Sequence, residues 1–135
     1  MKKHTAVIGL GTNLDNKQLN LLNALRYIAQ KIGHLSAISS IHETAPWGFE
    51  SSNMFLNMVV KVETKLEVLE LLRETQAIEK EMGRTGKTTD SYHDRIIDLD
   101  IILYDDLKYQ SDELTLPHPH YKKRDFVMLP LQEII

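Results

Sequence analysis

One stretch limits what this chain can fold into more than any other: Arg95-Ile-Ile-Asp98-Leu-Asp100-Ile-Ile-Leu-Tyr104 places two carboxylates inside a run that is otherwise β-branched and aliphatic. That content predicts a strand. Side chains alternate along a strand, so Asp98 and Asp100 share one face while Leu99 and Ile101 occupy the other, with the two aspartate Cα atoms about 6.6 Å apart. A carboxylate buried alone in apolar surroundings is strongly disfavoured, and two side by side repel each other. Something positive must face them. A divalent cation with oxygen ligands, typically Mg2+, and arginines such as Arg95 are the candidates. Equally open from this stretch alone is a half-exposed edge strand with its acidic face in water.

The rest of the chain supplies the limits. Residues 1–135 are expected to form one domain, because an apolar share of 42% is enough to bury a core at this length. The net charge of −3 offers no global attraction to nucleic acid or to an anionic membrane, so any basic site must be local. With no cysteine, disulfides and thiolate metal sites are excluded and nothing marks secretion. Ala6 to Leu10, the apolar run near the start, is too short for a signal segment or a membrane span. A soluble, cytoplasmic protein is expected.

In order, His4 to Leu10 reads as a first strand, and Gly9-Leu-Gly11-Thr-Asn13 as a tight strand-to-helix connection. Neither a Walker A loop nor a dinucleotide fingerprint fits there, since Gly-Lys-Ser/Thr is missing and Leu14 stands where a third glycine would be needed. Asp15 or Asn16 caps a helix whose Leu21, Leu25, Ile28 and Ile32 share one face, and Gly33 ends it in a left-handed conformation. His34 to Thr44 reads as one second strand. The segment 45–53 breaks periodicity while carrying Trp47 and Phe49, either as a cover for the core or as a lid over a flat ligand. Phe55 to Glu63 is a third strand with Phe55 and Asn57 on one face, and Lys65 to Met82 a second helix ending at Gly83, with Gln76 and Glu79 as neighbours on it.

Residues 84–95 contain almost nothing apolar, which predicts a segment ordered only by something it binds. Later, Leu107 to Tyr109 reads as a short strand, His118-Pro119-His120 as a histidine pair with no third zinc ligand at recognisable spacing, and Phe126 to Pro130 as an apolar segment packing back on the domain.

Cations flank the aspartate strand on both sides: Arg84, Lys87 and Arg95 before it, His118, Lys122, Lys123 and Arg124 after it. Two aspartates holding Mg2+ amid arginines and lysines are what a nucleoside triphosphate site without a Walker motif requires. Phosphoryl or pyrophosphoryl transfer is the leading chemistry. Two rivals stand beside it: a Mg2+-dependent phosphotransferase or phosphohydrolase using the same pair on a small nucleotide, and a non-catalytic module binding RNA or a small regulatory ligand, whose RNA version the acidic charge and strand carboxylates disfavour.

Gly11-Thr-Asn13-Leu, Glu43-Thr44-Ala-Pro46, Phe55-Leu-Asn57, Asp98-Leu-Asp100-Ile and Leu116-Pro-His118-Pro, followed by Arg124 and Phe126, form an ordered set spanning nearly the whole chain. Together they resemble the 6-hydroxymethyl-7,8-dihydropterin pyrophosphokinases of folate biosynthesis. The resemblance implies an α+β, ferredoxin-like fold, an antiparallel sheet with helices packed on it. It also implies transfer of the β,γ-diphosphate of ATP to the hydroxymethyl group of 6-hydroxymethyl-7,8-dihydropterin, with AMP released. Asp98 and Asp100 resemble the residues that coordinate Mg2+, two ions being expected with ATP bound, and Arg84 and Arg95 resemble loop arginines that reach the triphosphate. His118 and Arg124 resemble phosphate contacts, Leu72, Gln76, Ile101 and Thr115 residues lining the nucleotide, and Glu79 its acidic neighbour. Phe55 and Phe126 resemble the aromatics that sandwich the pterin, with Asn57 and the backbone of Thr44 and Trp47 reading its edge. Tyr92-His-Asp94 precedes Arg95 where the family usually has Trp-Gly-Pro.

Overall fold

The structure, a computed structural model, describes residues 3–45, 54–83 and 96–135. Strand β1 (His4–Thr12) leads into helix α1 (Lys17–Lys31), followed by strands β2 (Gly33–Ile38), β3 (His42–Thr44) and β4 (Phe55–Thr64). Helix α2 (Val68–Glu81), strand β5 (Asp98–Tyr104), the small hairpin of β6 (Tyr109–Gln110) and β7 (Thr115–Leu116), a single 3-10 turn (Tyr121–Lys123) and helix α3 (Asp125–Ile134) complete it. The main sheet runs β2-β4-β1-β5, antiparallel throughout, with β3 pairing β4 beyond the end of β2. This is the expected α+β, ferredoxin-like arrangement.

Alternation along the strands produces two cores. Ala6, Ile8, Leu10, Met58, Val60, Val62, Leu99 and Ile101 face one way and bury Leu21, Ala24 and Ile28 of α1 with Leu71, Leu72 and Ile78 of α2. On the other face, Val7, Val59 and Ile102 bury Val127 and Leu131 of α3. The segment read as merely apolar, 126–130, is therefore the first half of a helix.

Three local expectations need correction. Gly9 and Gly11 lie inside β1, paired with Val59 and Asn57, and the turn to α1 comes afterwards, with Asp15 at φ 58° and the Asn16 side chain capping the Leu19 N–H. Gly33 is not a left-handed cap: it starts β2, where a Cβ would meet the Glu63 carbonyl oxygen at 2.0 Å. The predicted strand over 34–44 is two strands: the Ser39 N–H still donates to the Val59 carbonyl, but the Val59 N–H goes to the Ser39 hydroxyl (2.9 Å) and the Ser40 N–H leaves the sheet for the Glu133 carboxylate, which ends the ladder. Gly83, at φ 98°, does end α2 as expected.

Candidate functional site

The α3 face of the sheet widens into a polar floor beyond the end of the apolar cluster. In register, Asp98 lies opposite Gly11 and Asp100 opposite Gly9, while on the other side of β1 the same two glycines oppose Asn57 and Val59. Directly paired residues project to one face, so Asp98, Asp100, Asn57 and Phe55 look out over two residues without side chains. Both aspartates are half-buried, whereas Leu99 and Ile101 between and beyond them are buried in the opposite core. A Cβ at Gly11 would stand 3.1 Å from Asn57 Oδ1 and 3.7 Å from the Phe55 ring. Those side chains lean across the gap between the acidic pair and β4. Here glycine serves close approach rather than backbone freedom.

Asn57 is buried and donates through Nδ2 to the Thr44 hydroxyl at 2.7 Å, which ties β3 to the row. Arg124 caps the start of α3 with its carbonyl, accepting from Val127 and Met128, and its buried guanidinium carbon lies 5.6 Å from the centre of the Phe126 ring. That distance suits a cation–π contact, which orients both groups.

His118 is fixed to the sheet by its backbone N–H, which donates to the Ile102 carbonyl at 3.0 Å. Its pKa is pushed down to about 4, chiefly by burial, then by the charges of Arg124 and His120, with Asp98 acting in the opposite sense. The ring is therefore neutral at pH 7. Nδ1 takes the His120 N–H at 3.4 Å, so Nε2 carries the proton and can donate to an oxygen ligand.

The structure thus assembles Asp98, Asp100, His118 and Arg124 at one side of the floor, Thr44, Phe55 and Asn57 at the other, and Phe126 on the helix above. Leu72 and Ile101 lie in the core shared with α1 and α2, Gln76 is exposed on α2, and Thr115 is half-buried on β7. Trp47, Arg84 and Arg95 lie outside the described residues. Among the described residues, no three histidine or acidic side chains converge as metal ligands. The donor set suits Mg2+ better than zinc: two hard carboxylates on one face match an ion that takes one or two carboxylates and completes its shell with water and phosphate oxygens.

Two features escaped the sequence reading. Gly9 and Gly11 are the floor of the site, signalled only by their two-residue spacing matching that of the aspartates. Glu79, noted as an acidic neighbour of a nucleotide, is buried and accepts the Leu99 N–H at 2.8 Å, between the two aspartates.

Comparison with known proteins bears on the family and the fold. A sequence model described as 7,8-dihydro-6-hydroxymethylpterin-pyrophosphokinase (HPPK) matches residues 7–135. The chain is similar to the 2-amino-4-hydroxy-6-hydroxymethyldihydropteridine pyrophosphokinase of Porphyromonas gingivalis, at 46% identity over 94% of this chain and 88% of that protein. It is also similar to the protein of the same name from Bacillus subtilis, at 39% identity over 96% of this chain and 77% of that one. In fold it resembles the crystal structure of a Plasmodium falciparum HPPK-DHPS triple mutant, with a TM-score of 0.81 and 18% identity over 99% of this chain, which spans 40% of that longer chain.

Proposed function

Because the chain belongs to the 7,8-dihydro-6-hydroxymethylpterin-pyrophosphokinase family, it carries the pyrophosphokinase activity of folate biosynthesis, and we propose a division of labour among its residues. The observation that carries the proposal is the facing of Asp98 and Asp100 with Phe55 and Asn57 across Gly9 and Gly11. One side of that floor suits a metal-bound triphosphate and the other a flat heterocycle.

In this reading ATP is the donor and 6-hydroxymethyl-7,8-dihydropterin the acceptor, and the β,γ-diphosphate moves as one unit while AMP leaves. Asp98 and Asp100 would hold Mg2+, two ions with ATP bound, and the metal supplies charge neutralisation on the triphosphate. Arg124 places a fixed positive charge against the phosphates, and His118 donates to them from Nε2. Arg84 and Arg95 are assigned as further triphosphate contacts, and Leu72, Gln76, Ile101 and Thr115 as the surroundings of the nucleotide.

Phe55 and Phe126 would sandwich the pterin, while Asn57, held by Thr44, reads its edge together with the Thr44 and Trp47 backbone. Rate comes from holding the hydroxymethyl oxygen and the β-phosphorus in line, so no strong protein base is required. No helix of the described residues is long and apolar enough to cross a membrane, and a cytoplasmic location belongs to the same proposal.

The test is product analysis with ATP, Mg2+ and the hydroxymethyl pterin. AMP and the pterin diphosphate in equal amounts, abolished by a chelator, are expected. Release of ADP or free phosphate would overturn the assignment.

A further inference from the structure

Strand β3 is the least supported element around the proposed pterin site. It pairs with β4 through His42↔Asn57, Glu43↔Leu56 and Thr44↔Phe55, yet it carries Thr44, whose hydroxyl holds the Asn57 amide. So short a ladder is prone to local opening unless something else grips it.

A carboxylate from the far end of α3 does so. Glu133 accepts from the Ser40 backbone N–H at 2.7 Å, from the Ser40 hydroxyl at 2.8 Å and from His42 Nε2 at 2.6 Å. Bonds to an ionised carboxylate are the strong kind. The Ser40 backbone N–H first, then His42 and the Ser40 hydroxyl, hold the Glu133 acid down to about 2. The cluster is not a nucleophile relay. Serine and carboxylate meet the same ring nitrogen of His42, with Ser40 Oγ at 3.3 Å, whereas a relay needs them on opposite nitrogens.

Glu133 follows Phe126 by two turns of α3, so the two residues lie along one stripe of the helix, about 10.5 Å apart on its axis. Between them Val127 and Leu131 bury against Val59 and Ile102. A single helix therefore presents Phe126 near its start and grips β3 near its end. On β3, Thr44 shares a face with His42 two residues before it.

We propose that Glu133 and His42 are a positioning pair for the pterin: by tying α3 to β3 they fix the gap between the Phe126 ring and the Thr44–Asn57 edge. Neither residue touches substrate. The inference rests on the assignment of Phe55, Asn57, Thr44 and Phe126 to the pterin.

Steady-state kinetics with ATP-Mg2+ and 6-hydroxymethyl-7,8-dihydropterin on the full chain test it. Glu133→Ala is expected to raise the pterin KM about fivefold or more, with kcat and the nucleotide KM within about twofold of the parent, because only the pterin gap loosens. Glu133→Gln, which keeps an acceptor oxygen, should restore part of the loss. His42→Ala provides the same readout if Glu133→Ala fails to fold. Asn57→Ala and Phe126→Ala serve as references. If these raise the pterin KM while folded Glu133→Ala and His42→Ala do not, the positioning role is wrong and the site assignment stands. If the references leave the pterin KM unchanged, the site assignment fails and the positioning role falls with it.

Discussion

The Glu79 carboxylate on α2 accepts the backbone N–H of Leu99 at 2.8 Å, at the one residue that separates Asp98 from Asp100. Among the described residues strand β5 is an edge of the sheet, with no further strand beside it to take this group, and Leu99 is buried. An N–H in that position must find a partner or lose its hydration without return. Glu79→Ala is expected to cost about 2 kcal/mol in urea unfolding, the usual loss for a buried bond to a charged acceptor, and Glu79→Gln roughly half of that. Turnover should fall with it, because the tether aligns both aspartates. Parent-like unfolding of Glu79→Ala would show that the bond carries none of this.

Asp98→Ala and Asp100→Ala separate chemistry from folding. The proposed role of both carboxylates as oxygen donors to Mg2+ on the triphosphate predicts that each substitution lowers the rate of AMP formation about a hundredfold or more. Measured by urea unfolding in chelator, both variants should keep a cooperative transition, because both side chains are half-buried on the open face of β5 and the core residues Leu99 and Ile101 are untouched. Turnover within about tenfold of the parent in either variant would remove the metal assignment.

At the opposite end of the sheet, His4 predicts a pH dependence of stability. Its Nδ1 lies 2.7 Å from Asp105 and its Nε2 3.1 Å from Glu67, with the ring stacked on Tyr104. The hydrogen bond to Asp105 above all raises its pKa above the ordinary 6.5; burial opposes it, and the bond to Glu67 and the charges of both acids add to the rise. A group whose folded pKa is raised binds its proton more tightly when folded. Its contribution is complete below the unfolded pKa near 6.5 and disappears as pH rises through the higher folded value. The melting temperature lost in His4→Gln should therefore be larger at about pH 6 than at about pH 9. An equal loss at both would mean that the ring acts by packing on Tyr104 alone.

The readable parts of this protein are those set by neighbours in sequence. Alternation was enough to place Asp98 and Asp100 on one face and Leu99 and Ile101 on the other, and the helical stripe of Leu21, Leu25 and Ile28 predicted α1. What stayed hidden depends on register and on distant partners. No local pattern shows that Gly11 stands between Asn57 and Asp98, or that Glu133 reaches back to Ser40 and His42, 93 and 91 residues earlier. The 34–44 segment has the composition of one strand, and it breaks where the Ser39 hydroxyl takes the Val59 N–H and the Ser40 N–H turns to Glu133. Trp47, Arg84 and Arg95 fall outside the described residues, so their expected roles rest on the resemblance.

Gly33 and Gly83 offer the cleanest contrast, because sequence alone assigns them the same job. Gly83 has φ 98° and a Cβ there would meet nothing nearer, among the described residues, than Ile96 at 3.6 Å, so its requirement is conformational. Gly83→Ala should cost about 1 kcal/mol, and Gly83→Asn less, since asparagine tolerates the left-handed region. Gly33 opens β2 against the end of β4, where a Cβ would stand 2.0 Å from the Glu63 carbonyl oxygen and 2.9 Å from its carbon. Both are backbone atoms held in the ladder, so the strands must separate to admit it. Gly33→Ala is expected to cost about 2–4 kcal/mol, a fall of roughly 10 °C in Tm, and Gly33→Asn should bring no relief. Rescue by asparagine at Gly33 would restore the left-handed cap and refute the close approach.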